Sequence, residues 1–482
     1  MARGISRGVP IAIVLPLLVS APSRLSGDLH TGFPSANLTP ALLFVEAPVT
    51  NAAPITQRFP KGSRLVSWQP GQPANTAVNL APRFFAAADP DVSPSGEKIL
   101  FSAKTALDSP WQVWEMNSNG TAQHQLTHCP DNCLKAAYLP ENQFVYTRVS
   151  ASDRESFLCV ARIDGSGSHR ITFGPGRFQL ETVLQDGRLL ASAERSLSPT
   201  GGGPQPRALF TMRPDGSGLT SFGDNRPTPL SQSAASELDD GTVVFTQREP
   251  ARNSEPGGVL AFVRPGSLGV TTCNSEQPLV QSVHEFSGGH VLVSRQDSAS
   301  SSAHYSAYDL DLSGGAPLRL IYRDPLASVV QAVPLRPHPA AAAYRSILHL
   351  ERTSGRFICL NARRARDAKG GTLSAAIAQV RVFLQKDDKG GERLLGQAPV
   401  AADGSFYIAA PADRPVRFDL VAANGDLVAS QKSWIWVRPG EDRGCIGCHE
   451  DKAESPQNHW PLALSMPGMP ARIGLPPQKT LH

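Results

Sequence analysis

The stretch "SPSGEKILFSA" at residues 93–103 joins a tight turn to a β-rich run, and this arrangement recurs along the chain. The later copies are "LPENQFVYTR" (139–148), "LQDGRLLASA" (184–193), "LDDGTVVFTQ" (238–247) and "FSGGHVLVSR" (286–295). Gly and Asn at such turns supply the positive φ angles that two-residue hairpins need. Successive copies of the turn residue are 46, 45, 54 and 48 positions apart. Each stretch therefore predicts one β-hairpin of a repeated unit.

A second turn signal alternates with the first. It is found in "MNSNGTAQHQLT" (116–127), "RIDGSGSHRIT" (162–172), "MRPDGSGLTSF" (212–222), "RPGSLGV" (264–270) and "LDLSGGAPLRL" (310–320). Two interleaved hairpin signals with a shared period of about 45–54 residues predict a four-stranded unit, which is typical of a β-propeller blade. We expect one ring of six blades between residues 40 and 350. The strand "PALLFVEAPV" (40–49) should close this ring, with "RPHPAAAAYRS" (336–346) helping to complete the sixth blade.

These repeats resemble those of TolB-like and WD40-like propellers, whose blades carry SPDG turns and DGSG-x-x-x-LT endings. The resemblance covers about 250 residues and weakens in the later blades. It implies a propeller domain over residues 28–350. A propeller is a scaffold, so this resemblance by itself defines no activity.

The composition and the N-terminus bear on location and partners. A formal net charge of +4 over 482 residues gives no electrostatic argument for nucleic acid or anionic lipid as a partner. Residues 1–27 combine a basic start with a short apolar run that contains two prolines, which predicts a signal peptide. An uncleaved N-terminal anchor is the alternative. We therefore expect an exported protein, periplasmic or at the cell surface, with no membrane span in the mature chain.

From about residue 351 onward the pattern changes to a second domain, residues 351–482. Apolar and polar residues alternate with period two through "AQVRVFLQ" (378–385) and the run from 393 to 437, which predicts a small antiparallel β-sandwich. Trp434 and Trp436 should face one side of a strand, and Ile435 and Val437 the other. One of these pairs should be buried in the sandwich, leaving the other to cover a neighbouring surface.

The motif Cys-x-x-Cys-His, formed by Cys445, Cys448 and His449, follows directly after this domain's last strand. From the composition, about 0.003 such motifs are expected by chance in this chain. Two thiols at this spacing can each form a thioether with haem, and the adjoining histidine can then bind the iron. A zinc site or a disulfide is the alternative, although a structural zinc site would need a second pair of ligands.

The segment "LGQAPVAADGSFYIAAPADRPVRFDLVAANGDLVASQKSWIWVRPGEDRGCIGCHED" (395–451) resembles the middle domain of the hydrazine synthase alpha subunit. That domain follows a propeller and ends in a PGE-x-R-x-C-x-GCHE segment. The resemblance implies one covalent haem c on Cys445 and Cys448, with His449 as the axial iron ligand or as a ligand of a second metal. The chain lacks that subunit's further haem domain and has no tyrosine soon after the motif, so the hydrazine-forming reaction is not carried over.

Several further residues could contribute to such a site. His459, Met466 and Met469 follow the motif and are candidates for a second iron ligand, with loop packing as the alternative role. Cys129 and Cys133 in "HCPDNC" could form a disulfide, or contact a metal or the haem edge. The sequence names no substrate.

Two functions remain open from the sequence. The first is an extracytoplasmic monohaem c-type protein that transfers electrons to a redox partner protein or carries out haem redox chemistry. The second is a propeller-based protein-interaction module in which the Cys/His site is structural, with haem or zinc.

Overall fold

The structure is a computed structural model. It describes residues 40–48, 54–152, 155–194, 206–223, 230–249, 257–267, 269–273, 279–297, 304–364, 373, 376–385, 391–431, 433–446 and 459–476. The predicted signal peptide, residues 1–27, lies outside these ranges and stays a prediction. Within the described ranges the chain is all-β, and helix is limited to two 3-10 turns at Ala74–Thr76 and Leu462–Leu464.

The first twenty-four strands form the propeller. In chain order they are β1 (Ala41–Ala47), β2 (Arg64–Trp68), β3 (Val78–Asn79), β4 (Ala86–Val92), β5 (Lys98–Lys104), β6 (Gln112–Asn117), β7 (His124–Gln125), β8 (Asn132–Leu139), β9 (Gln143–Val149), β10 (Ser156–Arg162), β11 (His169–Arg170), β12 (Gln179–Val183), β13 (Leu189–Glu194), β14 (Arg207–Met212), β15 (Thr220–Ser221), β16 (Ser231–Glu237), β17 (Val243–Arg248), β18 (Val259–Val263), β19 (Thr271–Thr272), β20 (Val280–Ser287), β21 (His290–Gln296), β22 (Tyr305–Asp311), β23 (Arg319–Tyr322) and β24 (Ser328–Leu335).

These strands form six four-stranded antiparallel sheets, which are the six predicted blades. Blades 1 to 5 are β4–β7, β8–β11, β12–β15, β16–β19 and β20–β23. The first strand of each blade in the sheet order (β4, β8, β12, β16, β20 and β24) is its inner strand, and it contacts the inner strand of the next blade. The contact of β24 with β4 closes the ring. The turn residues that separate strands one and two of each blade, from Gly96 (φ 75°) to Gly289 (φ 87°), have the expected positive φ angles.

Blade 6 joins the two ends of the propeller. It is ordered β24-β1-β2-β3, so the N-terminal strand β1 lies between β2 and the C-terminal strand β24. Every residue of β1 from Leu42 to Ala47 is buried. The predicted ring closure by residues 40–49 is therefore confirmed, and it ties the two ends of the ring together by backbone hydrogen bonds.

The expectation for residues 336–346 was wrong, because they form no blade strand. Residues 336–349, here called the crossing segment, run without regular structure across the turns of the propeller. The N–H of His338 donates to Pro94 O (3.0 Å), and that of Ala342 donates to Gln185 O (2.8 Å). A Cβ at Gly187, where φ is 84°, would collide with the carbonyl of Ala342. The inner strand of blade 6 is supplied by β24 instead, so this blade has its four strands without the crossing segment.

Eight strands form the second domain. They are β25 (Ser354–Cys359), β26 (Gln379–Gln385), β27 (Glu392–Pro399), β28 (Phe406–Pro411), β29 (Val416–Val421), β30 (Leu427–Ser430), β31 (Asp442–Cys445) and β32 (Ala471–Arg472). One sheet, β27-β26-β29-β30, is antiparallel. In the other sheet, β31-β25-β28-β32, the two outer strands are parallel to their neighbours. Strand β31 pairs in parallel with β25, and β32 pairs in parallel with β28. The predicted sandwich is present, but its purely antiparallel character was wrong, since the tail of the chain adds these two edge strands.

A carboxylate between blades 1 and 2 makes stability depend on pH. Asp91, in β4, accepts a hydrogen bond from the N–H of Tyr138 (2.9 Å). Burial raises the pKa of Asp91 to about 6, against the opposing effects of the Tyr138 hydrogen bond and of His338. Because this value lies above that of an unfolded aspartate, the folded state favours the neutral acid. Folding stability from this group is therefore present below about pH 4 and is lost as the pH rises through about 6.

We expect Asp91→Asn to be more stable relative to the original chain at pH 7 than at pH 4, by on the order of 2 kcal/mol. Asparagine stays neutral and keeps an oxygen that can accept from Tyr138. Urea unfolding between pH 4 and pH 7 measures the difference, with the exposed Asp108→Asn as the control in the same blade. A stability difference that does not change with pH would contradict the prediction.

Candidate cofactor-attachment site

The first cysteine of the motif lies at the end of an ordered strand. Cys445 is the last residue of β31, and its carbonyl accepts a hydrogen bond from the N–H of Leu360 (2.9 Å). The next carbonyl, of Ile446, accepts from Asn361 (3.1 Å). Cys445 is partly buried against the sandwich core. Backbone hydrogen bonds therefore hold Cys445 and the following residue, Ile446, against β25 and the two residues that follow it.

Cys448 and His449 lie outside the described residues, as does the rest of 447–458. The chain is described again from His459, whose Nε2 lies 3.3 Å from Asp403 Oδ2. The same oxygen accepts from the N–H of Leu462 (2.8 Å), and Ser405 Oγ accepts from that of Ala463 (3.0 Å). Asp403 and Ser405 therefore anchor the chain beyond the motif.

The two anchors adjoin each other. The N–H of Ala362 donates to Gly404 O (2.7 Å), and a Cβ at Gly404, where φ is 87°, would collide with the side chain of Asn361. The turn after β25 and the turn before β28 are thus in direct contact. The turn after β25 binds residue 446, and the turn before β28 binds residues 459–463. The chain on both sides of 447–458 is therefore fixed at one end of the same sheet.

Asp403 is a charged group at this anchor. Burial alone would raise the pKa of its carboxyl, but hydrogen bonds from Leu462, Ser405 and His459 hold the pKa below its usual range. A carboxylate there attracts a protonated imidazole. Coordination of a metal by Nε2 of His459 would replace its contact with Asp403.

The other predicted residues are placed as follows. Met466 and Met469 are partly buried between the 3-10 turn Leu462–Leu464 and β32, so they stay predictions as ligands. Cys129 and Cys133 are joined by a disulfide at the start of β8. Among the described residues, no three His, Cys, Asp or Glu side chains are grouped to hold a metal ion. In the same residues no helix has the length and apolarity to span a membrane.

The tryptophan pair behaves as the alternation predicts. Ile435 and Val437 belong to the sandwich core, whereas Trp436 is fully buried in a core cluster of the propeller. There the indole meets the ring of Phe178 edge-on, with centroids 5.5 Å apart, and its N–H donates to Gly216 O (3.1 Å). The strand predicted at residues 434–437 is absent, since only an isolated bridge from Ile435 to Val416 forms there, but alternate residues of this segment still contribute to the two domains.

Charged residues just before the motif strengthen this contact, and sequence reasoning did not find them. Arg438 donates through Nε to Asp215 O (2.8 Å) and through NH1 to Asp413 Oδ1 (2.6 Å). Glu441 accepts from the N–H of Gly218 (2.9 Å), and Arg443 donates to Leu219 O (2.6 Å). The only sequence signal was their position between the last period-two strand and the motif. The segment that precedes Cys445 is thus bound to a blade 3 turn.

These features define an all-β protein in which a β-propeller contacts a β-sandwich, and the first cysteine of the motif, Cys445, ends an edge strand of that sandwich. Residues 356–450 match the family model of the hydrazine synthase alpha subunit middle domain. The chain is similar to the hydrazine synthase of Kuenenia stuttgartiensis with 18% sequence identity and a TM-score of 0.74, over 89% of this chain and 71% of that chain. This likeness establishes a shared fold, with the propeller and the second domain in the same protein.

More distant structural neighbours include two propeller proteins. TolB from Acinetobacter baumannii has 12% identity and a TM-score of 0.45, over 61% of this chain and 66% of that chain. A putative TolB from Agrobacterium tumefaciens has 11% identity and a TM-score of 0.42, over 61% and 91%. No curated protein matches the chain significantly.

Proposed function

We propose that the chain is an extracytoplasmic monohaem c-type protein that transfers electrons or performs redox chemistry at its haem. The observation that carries the proposal is the position of the motif. Cys445, Cys448 and His449 all fall within the segment that matches the hydrazine synthase alpha middle domain. The described thiol of the motif is mounted on a strand whose backbone is fixed on its neighbour.

The donor set fits haem c better than a structural zinc site. Two thiols three positions apart, with an imidazole directly after the second, match thioether attachment with an axial histidine. A closed zinc site needs four ligands, so the three residues of the motif do not complete one by themselves. In this proposal Cys445 and Cys448 bind the porphyrin and His449 binds the iron. The haem would supply an iron that changes oxidation state by one electron.

The protein around the motif would hold the cofactor rigidly. The anchors at Leu360–Ala362 and Asp403–Ser405 fix the chain on both sides of the motif, and the contacts of Arg438 and Glu441 bind the same segment to blade 3. His459, Met466 or Met469 would be the second ligand in a six-coordinate, electron-transferring haem. A five-coordinate haem would instead leave a position for a substrate.

The N-terminal sequence supports export, because haem attachment and signal-peptide cleavage would then take place in the same compartment. The disulfide between Cys129 and Cys133 is of the kind that persists outside the cytoplasm. A protein redox partner follows from an electron-transfer role, and the propeller offers the larger surface for docking it.

The test is the mass of the mature chain after denaturation, from cells with active haem c maturation. We expect the mass of the polypeptide plus one haem, and a reduced-minus-oxidised optical spectrum of a c-type haem. The same chain from cells without the maturation system is the control and should lack the adduct. A haem-free mass in both preparations would overturn the proposal in favour of a zinc or disulfide site and a protein-interaction role.

A further inference from the structure

Two large apolar side chains are exposed on the anchored chain beyond the motif. Trp460 is 72% exposed, and Leu462, two residues further on, is 48% exposed. Tryptophan is highly buried on average in folded proteins, so an indole that lies mostly in water is unusual. Exposed apolar surface with polar groups around it is typical of a binding site. Trp460 and Leu462 are here called the apolar surface.

The exposure of this surface is imposed by the fold. Pro461 and Ala463, which alternate with the two exposed residues, are both buried. The N–H of Ala463 donates to Ser405 Oγ (3.0 Å), and that of Leu462 donates to Asp403 Oδ2 (2.8 Å). The chain therefore cannot turn the apolar surface inward without breaking the contacts that anchor it.

A cation lies at the same end of the sheet. Arg363 NH1 donates to Ala402 O (2.8 Å), in the turn that also anchors Leu462. The backbone N–H of Arg363 donates to Asn361 Oδ1 (3.0 Å), and that of Asn361 donates to Ile446 O (3.1 Å), directly after the first cysteine of the motif. Arg363 is therefore linked to both anchors. A guanidinium has five N–H donors, so it can bind a carboxylate while it keeps its bond to Ala402.

Haem has the chemistry that matches these groups. Its porphyrin is a flat apolar ring, on which an indole can stack, and its two propionates are carboxylates, which arginine binds well. We propose that Trp460 and Leu462 pack against the porphyrin of the haem attached at the motif, and that Arg363 binds one of its propionates. The inference rests on the proposed function and adds three residues that bind the cofactor outside the motif.

These contacts have a consequence for the iron. An apolar cover keeps water away from the haem, and a neighbouring cation opposes the additional positive charge of the ferric state. Both effects favour the reduced iron. Trp460 and Arg363 should therefore raise the reduction potential of the haem.

Hydroxyl-radical footprinting tests the packing of Trp460. The haem-loaded chain is compared with the same chain made without haem c maturation, and the radicals are generated by radiolysis of water. Oxidation of Trp460, read in the tryptic peptide of residues 453–472, should fall severalfold in the haem-loaded chain. Trp434, which lies beside Arg417 of the other sheet, is the control and should be oxidised equally in both.

Two footprinting results would overturn the inference. Equal oxidation of Trp460 in the two chains would mean that haem does not cover it. Equal protection in both would mean that another part of the protein or a second copy covers the indole. The mass of the denatured chain is measured on the same samples. A chain that carries haem and leaves Trp460 exposed keeps the proposed function and refutes this inference, whereas a haem-free mass refutes both.

Substitutions supply a second readout, the reduction potential of the haem-loaded chain. Trp460→Ala should lower the potential, whereas Trp460→Phe, which keeps an aromatic ring, should stay close to the original. Arg363→Ala should also lower it. Arg393→Ala, which removes an exposed arginine from β27, is the control of equal charge and should have little effect. Unchanged potentials in both Trp460→Ala and Arg363→Ala would contradict the assigned contacts.

Discussion

Replacing Cys445 and Cys448 together by alanine is expected to abolish the haem adduct completely in cells with active haem c maturation. Each thioether needs its own thiol, so no covalent bond to the porphyrin can form in the double variant. The mass of the denatured chain measures the loss. Cys273→Ala, which removes a thiol from blade 4, is the matched control and should carry haem like the original protein. An adduct that survives in the double variant would contradict the assignment of these cysteines.

His449→Ala separates attachment from ligation. The porphyrin should stay bound to the chain, because both thioethers remain, while the optical spectrum changes as the iron loses its axial imidazole. An unchanged spectrum would mean that another residue binds the iron.

The second domain should stay folded in these variants, even though β31 and β32 are edge strands of one of its sheets. Cys445 is at the end of β31 and its backbone hydrogen bonds do not depend on the side chain. Circular dichroism should therefore show an unchanged β content.

Replacing Trp436 by alanine should have the largest effect on stability, lowering the free energy of unfolding by about 3–5 kcal/mol. Its side chain is fully buried between Phe173 and Phe178 of the propeller, and the substitution would also leave Gly216 O without its indole donor. The flanking residues Ile435 and Val437 lie in the other domain's core, so the loss falls on the contact between the domains. We expect the two domains to unfold at more widely separated urea concentrations than in the original chain.

Trp434→Ala is the control for this variant. Trp434 is only partly buried and stacks loosely with Arg417, whose guanidinium carbon lies 5.9 Å from the ring centroid. Its removal should cost less than about 1 kcal/mol, the range of an exposed cation–π contact. Equal effects of the two tryptophan substitutions on the urea transitions would contradict the assignment of Trp436 as the domain contact.

The candidate site could be predicted only in part. The motif itself was readable, because its chemistry depends on residues three and four positions apart. The anchors that surround it were not, since Asn361, Asp403 and Glu441 are common residue types at turns and carry no distinctive spacing. The pairing of β31 with β25, which sets Cys445 opposite Cys359, joins distant parts of the domain sequence. No local pattern could reveal that these two strands are neighbours.

The sequence by itself determined the blade repeat and the strand alternation of the second domain. Turns with positive φ and period-two burial are local properties. Gly96 and Gly289 therefore have the predicted positive φ angles, and Ile435 and Val437 are buried in the sandwich core as the alternation predicts. Tertiary structure alone decided that residues 336–349 cross the propeller without joining a sheet. It also decided that β31 pairs in parallel with β25 and β32 with β28, and that Arg438 and Glu441 bind blade 3. These outcomes depend on which backbone hydrogen-bonding groups are still available after the propeller ring has closed. Segments that are distant in sequence compete for those groups at strand edges and turns, so no local pattern can predict the result.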